Sequence, residues 1–216
     1  MSGFATSDFF VTVAVSAAAV VVLILATWIV GRALGRFNVI DVAWGLGFVL
    51  VAWVAFALSS GHGDDTRRLV VALLVTVGAG RLAVYIAWRS RGKGEDPRYA
   101  DMLEGHADPA RRALGIYLTQ AVAIWFVSLP VMVAMFEASE PGALFVVGVV
   151  VWAIGFGFES IGDWQLARFR ASDQNTFHRN LVDWQGHRAT GSVDLKFKVA
   201  GQALFLAAVV MFALLQ

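Results

Sequence analysis

The feature that most constrains this chain is a set of long apolar runs with almost no charge inside them. Residues 9–30, 39–58, 69–88, 114–136 and 143–158 each approach or exceed the roughly 20 apolar residues that a helix needs to cross a bilayer. Residues 199–215 form a sixth, shorter run that carries no charge. Backbone N–H and C=O groups inside lipid are satisfied only in helices or closed barrels. The runs are continuously apolar and lack the alternation of a barrel strand, so they predict helices. The expected fold class is all-α: a polytopic transmembrane helical bundle of about six spans. It is expected to form a single transmembrane domain over residues 1–216, with residues 168–198 as its longest non-membrane stretch.

Composition agrees. The chain is 58% hydrophobic and only 15% charged, against about 25% charged in soluble domains. A net charge of +1 gives no field that would draw in nucleic acid. The absence of cysteine excludes disulfides, thiolate nucleophiles and Cys-ligated zinc. The first run is too long for a signal peptide and no basic residue precedes it, so it is read as a retained span.

Lysines and arginines are sorted by loop. Arg32 and Arg36 follow the first run. Six follow the third, from Arg89 to Arg112, and six follow the fifth, from Arg168 to Lys198. Arg67 and Arg68 stand alone on the other side, and Arg81 lies within a span. Positive residues mark cytoplasmic loops. This asymmetry places the first, third and fifth loops in the cytoplasm and the N-terminus outside.

Charged residues inside spans are costly and tend to face a bundle interior or wet cavity. Asp41 in NVIDVAWGLGF is either a helix-start acid acting with Asn38 or a pocket carboxylate, with Trp44 on its face. Gly45 and Gly47 beside it admit a close neighbour. Arg81 is either a structural ion-pair partner of Asp41 or a ligand contact. Tyr85, one turn on, is either an interfacial aromatic or a proton donor. Gln120 reads as an interhelical hydrogen bond and Pro130 as a kink. In RGKGEDPRYADM, Pro97 bars helix continuation and makes Asp96 extended, leaving Arg98 and Tyr99 over the membrane surface.

The stretch GFGFESIGDWQLARFR leaves an apolar run with no turn residue. Glu159 and Asp163 are four apart and Arg170 is seven further on, so all three share one face if the helix continues. They are either a helix end with paired charges or one wall of a polar cavity open to the basic side.

NVIDVAWGLGF, GKGEDPRYADM and WAIGFGFESIGDWQLARFRA, in this order, resemble the uncharacterised bacterial membrane family related to steroid 5-alpha-reductases and isoprenylcysteine methyltransferases. The resemblance covers roughly residues 38 to 171. It implies a multi-pass protein of the bacterial inner membrane. It also implies reduction of a carbon–carbon double bond of a lipid-like or steroid-like substrate by NADPH. By this resemblance Glu159, Asp163 and Arg170, with Arg98 and Tyr99, contact the cofactor, while Asp41, Arg81 and Tyr85 form the catalytic set. The same likeness admits an S-adenosylmethionine-dependent methyltransferase, or a non-catalytic protein of this fold that binds a lipid or partner. Relatives follow the third motif with Gly-Leu-Trp and then Thr-Arg-His-Pro-Asn-Tyr. This chain reads ASDQNTFHRNLVDWQGHRATGSVDLKFK and holds no clear copy.

Overall fold

A computed structural model describes residues 5–171. It contains seven helices and, among the described residues, no strand. They are α1 (Thr6–Leu34), α2 (Ile40–Leu58), α3 (Asp65–Arg89), α4 (Pro97–Leu103), α5 (Pro109–Val127), α6 (Leu129–Met135) and α7 (Ala143–Ala171). Five segments are long and apolar enough to span: α1, α2, α3, the α5–α6 pair and α7. The sixth expected span, residues 199–215, lies outside the described residues, as does most of the 168–198 stretch. Two compact units divide the chain, residues 1–141 and 142–216.

Local chemistry sets the helix ends. Asp64, Asp96 and Asp108 each accept a hydrogen bond from a backbone N–H of the turn that follows, capping α3, α4 and α5. Pro97 and Pro109 stand in first turns, where a missing N–H costs nothing. Pro97 was expected only to stop a helix; it also starts one. Gly35 ends α1 at φ 65°, a conformation that favours glycine. The kink expected at Pro130 is a break at Ser128, two residues earlier. The Ser128 hydroxyl donates to Ile124 O at 2.7 Å, absorbing a carbonyl near the interruption.

In the first unit, α2 lies at the centre and packs on α1, α3 and α5. Gly45 faces α3 so closely that a Cβ there would stand 2.3 Å from Ala79 O. Gly47 faces α5, where a Cβ would stand 2.8 Å from Ile124 Cγ2. The two glycines thus admit neighbouring helices. Burial is inside-out relative to a soluble protein. Thr12, Ser16 and Ser128 are buried, while Val22, Ile29, Val84 and Phe126 are exposed. That is the surface expected in hydrocarbon.

Arg67 and Arg68, expected in an outer loop, are buried in the first turn of α3. Arg67 Nη2 donates to Ser139 O and Oγ, both at 3.1 Å. Arg68 donates to Ser59 Oγ at 2.8 Å, Phe56 O at 2.5 Å and Asp65 Oδ1 at 2.5 Å. Asp64 N donates to Glu137 O at 3.0 Å, tying the turn before α3 to the segment after α6. Gly63 permits this approach, since a Cβ there would stand 2.1 Å from Met135 O.

The second unit is described only over α7. Its 29 residues form one uninterrupted helix. The apolar half runs directly into Glu159, Asp163 and Arg168, so no turn was needed at that boundary. The span expected to end at residue 158 continues as helix to Ala171.

Candidate functional site

Two of the sequence motifs, 57 residues apart, clamp each other at the end of the first unit. The segment before α4 lies against the start of α2. Both Glu95 carboxylate oxygens accept backbone N–H groups there, one from Phe37 and the other from Asn38 at 2.9 Å. Asn38 Nδ2 donates to Gly94 O at 3.2 Å, and Arg36 Nη1 to Lys93 O at 2.9 Å. Tyr117 on α5 closes the other side, its hydroxyl donating to Phe37 O at 2.6 Å. Asn38 is therefore a tie between segments rather than a side-chain cap of α2.

This docking delivers α4 to Asp41. The Tyr99 hydroxyl donates to Asp41 Oδ1 at 2.7 Å. Arg98 Nη2 donates to Asp41 Oδ2 at 3.2 Å. Arg98 also forks onto Asp96, with Nε to Oδ1 at 2.9 Å and Nη2 to Oδ2 at 3.0 Å. One turn deeper, Trp44 Nε1 donates to Gln120 Oε1, the interhelical bond expected of that glutamine.

The electrostatics follow from these contacts. Burial, and next the adjacent Asp41 carboxylate, push the Tyr99 hydroxyl far above the ordinary tyrosine range. The bond to Asp96 raises Arg98, and the same bond holds Asp96 below the usual carboxylate range. Tyr99 is 6% exposed and stays protonated, whereas the Arg98 side chain is 58% exposed. The arrangement offers a neutral phenol held against a carboxylate, and beside it a guanidinium whose Nη1 is engaged by none of these bonds. A phenol kept un-ionised can donate to a carbonyl oxygen, and an anchored, exposed guanidinium can hold an anion.

The residues singled out from sequence fall into three groups. Asp41, Arg98 and Tyr99 meet. Tyr99 was expected over the membrane surface and is instead buried, because its hydroxyl finds the Asp41 carboxylate. Arg81 and Tyr85 lie on the face of α3 away from Ala79 and Ala83, which meet α2. The cation on Asp41 is therefore Arg98, where an Arg81 pair had been an expectation. Tyr85 packs against Trp88, with the Arg89 guanidinium 5.8 Å from its ring centroid. Glu159, Asp163 and Arg170 all fall on the continuous α7, so their spacing puts them on one face. Glu95, Asp96 and Tyr117 were missed. The Asp-Pro pair, an N-cap followed by a first-turn proline, was the available signal for α4 and for the role of Asp96.

Five spanning segments with an inside-out surface define a multi-pass integral membrane protein. The chain belongs to the family described as protein of unknown function DUF1295, whose model matches residues 27–184; these are membrane proteins related to steroid 5-alpha-reductase. No curated protein and no solved structure matches the chain.

Proposed function

We propose that this protein is a membrane oxidoreductase that uses NADPH to reduce a carbon–carbon double bond conjugated to a carbonyl in a lipid-like or steroid-like substrate. The observation that carries the reading is the Tyr99–Asp41 hydrogen bond at 2.7 Å, with Arg98 fixing the second carboxylate oxygen. The kinship of the family to steroid 5-alpha-reductase supports the reaction class.

The donor set of α7 fits a dinucleotide. Two acids one turn apart match ribose hydroxyls, and an arginine on the same face matches phosphate. Glu159, Asp163 and Arg170 would hold the cofactor, which supplies hydride when bound. On substrate binding the Tyr99 hydroxyl turns its single proton from Asp41 Oδ1 to the substrate carbonyl oxygen and stabilises the charge that develops there. Asp41 holds the phenol in place until then, and Arg98 fixes the second Asp41 oxygen. Tyr85 and Arg81 are given no role in this pair, since they occupy the other face of α3.

The test is direct binding. Purified protein titrated with NADPH should give a saturable signal. Asp163→Ala or Arg170→Ala should weaken it at least roughly tenfold, about 1.4 kcal/mol, while Asp41→Asn leaves it near wild type. Absence of NADPH binding would remove the reading. Binding of S-adenosylmethionine instead would identify a methyltransferase, and retention of lipid alone a non-catalytic member of the fold.

A further inference from the structure

The arginines at the basic end of the first unit are not equivalent. Arg36 and Arg98 are held by the docked segment. Arg32, in the last turn of α1, and Arg111, in the first turn of α5, have exposed side chains with no carboxylate partner among the described residues. Trp28 ties together the two helix ends that carry them. Its Nε1 donates to Ala110 O at 2.9 Å, and the Arg32 guanidinium lies 5.6 Å from its ring centroid. Arg111 follows Ala110 directly. The nearest acid on this element, Asp108, uses Oδ1 to cap α5 through Arg111 N at 3.0 Å.

Below the arginines the seam where α1 packs on α5 carries exposed apolar side chains. Leu25 lies seven residues before Arg32, and Leu118 seven after Arg111. The helices run in opposite directions, so both leucines sit two turns deeper, about 10 Å from the arginines. They are 38% and 40% exposed. One leaflet of the hydrocarbon core is about 15 Å thick, so the leucines fall inside it while the arginines stay at its edge. Farther along, Trp125 Nε1 donates to Val13 O at 3.0 Å and joins the same two helices.

We infer that the exposed α1–α5 seam is a binding site for an anionic phospholipid, with Arg32 and Arg111 on the phosphate-bearing headgroup and an acyl chain along Leu25 and Leu118. The commitment to a lipid rests on charge complementarity above a length of exposed apolar surface. Either feature alone would leave the occupant open. A solvated anion gains nothing from the apolar side chains, and a zwitterionic lipid gains little from two guanidinium groups without a carboxylate. Basic residues near a membrane surface attract anionic headgroups, and basic pockets between spanning helices bind them. The site is distinct from the Asp41 constellation and does not rest on the reductase reading.

The experiment titrates the purified full chain in zwitterionic detergent with phosphatidylglycerol or with phosphatidylcholine of the same acyl chains. Bound lipid is counted by native mass spectrometry. Phosphatidylglycerol should bind in preference. The single variant Arg111→Gln should weaken it about fivefold and the double variant Arg32→Gln/Arg111→Gln about 25-fold. Arg91→Gln/Lys93→Gln, which alters charge on the neighbouring loop, should change it less than about twofold. Equal binding of both lipids, an unchanged affinity in Arg111→Gln, or full displacement by inorganic phosphate would overturn the inference. If the double variant fails to fold, Arg111→Gln and Arg32→Lys/Arg111→Lys decide the matter. The lysine pair must keep the preference that the glutamine loses.

Discussion

The two ends of the first unit are built from the same groups and do opposite things with them. At one end Arg67 and Arg68 are 0% and 3% exposed and donate to serine oxygens and backbone carbonyls. At the other, Arg98 is forked onto two aspartates and still 58% exposed. A guanidinium carries five donors in a fixed fork. Where the surrounding chain absorbs them, the residue closes the structure. Where some are left facing solvent from an immobile base, the residue is equipped to bind. Polar clusters in a membrane bundle are therefore told apart by how many donors remain outward, since the guanidinium group itself is the same at both ends.

The largest effect expected from breaking this contrast is at the closed end. Arg68→Ala leaves the Ser59 hydroxyl and Phe56 carbonyl buried without their donor and should cost about 3 kcal/mol or more. Thermal unfolding in detergent reads this, and NADPH affinity of the fraction that stays folded should not move. Next comes Glu95→Ala, which strips the partner from two backbone N–H groups before α2. A loss of about 1–3 kcal/mol is expected, with hydrogen exchange rising at residues 36–41 and staying low at 63–68. If both stretches loosen together, the ends are one cooperative unit and the contrast drawn above fails.

Smaller again is Tyr99→Phe, which removes a single bond to Asp41 at about 1 kcal/mol. Its stronger signature is in titration. Tyr99 is raised above the ordinary value of about 10. Its contribution to stability is therefore complete below that value and disappears as pH climbs through the higher folded value. An absorbance titration should show the wild-type chain keeping one more tyrosine un-ionised in alkali than Tyr99→Phe keeps. Asp96 has the opposite sign. Held below the usual value of about 3.9, it contributes above that pH and its contribution is lost as pH falls through the lower folded value. Glu137 at the closed end is also depressed, first by the N–H of Ser139. Acid therefore loosens both ends, and only alkali separates them.

The smallest expected change in stability is Arg98→Gln. This exposed side chain is worth about 0–1 kcal/mol to the fold. Under the proposed function, reduction of an enone substrate should nevertheless fall more in the variant than its unfolding temperature would suggest, because Asp41 loses its anchor.

Much of this was legible in the chain. Hydropathy located five spans because a bilayer imposes a length and forbids exposed backbone. Spacing along α7 gave a shared face for Glu159, Asp163 and Arg170 because helical geometry is local. Asp41, Arg98 and Tyr99 were each marked out by type, since charge and phenol are conspicuous near a membrane. What sequence could not supply was the pairing. Tyr85 was marked as a phenol by its helical spacing from Arg81, whereas the phenol that meets Asp41 comes from a short separate helix as Tyr99. Nothing within a few residues of Asp41 specifies a partner 58 positions away. Arg67 and Arg68 were misread for a related reason: two adjacent arginines after a glycine-containing turn look solvated until the segment at 137–140 folds over them.

The unbroken course of α7 has a mechanical consequence. Twenty-nine residues make a rod of about 43 Å, against about 30 Å of hydrocarbon. It carries no proline, and it runs unbroken where greasy surface gives way to charge. A ligand that grips its charged half pulls on a shaft continuous with the apolar half.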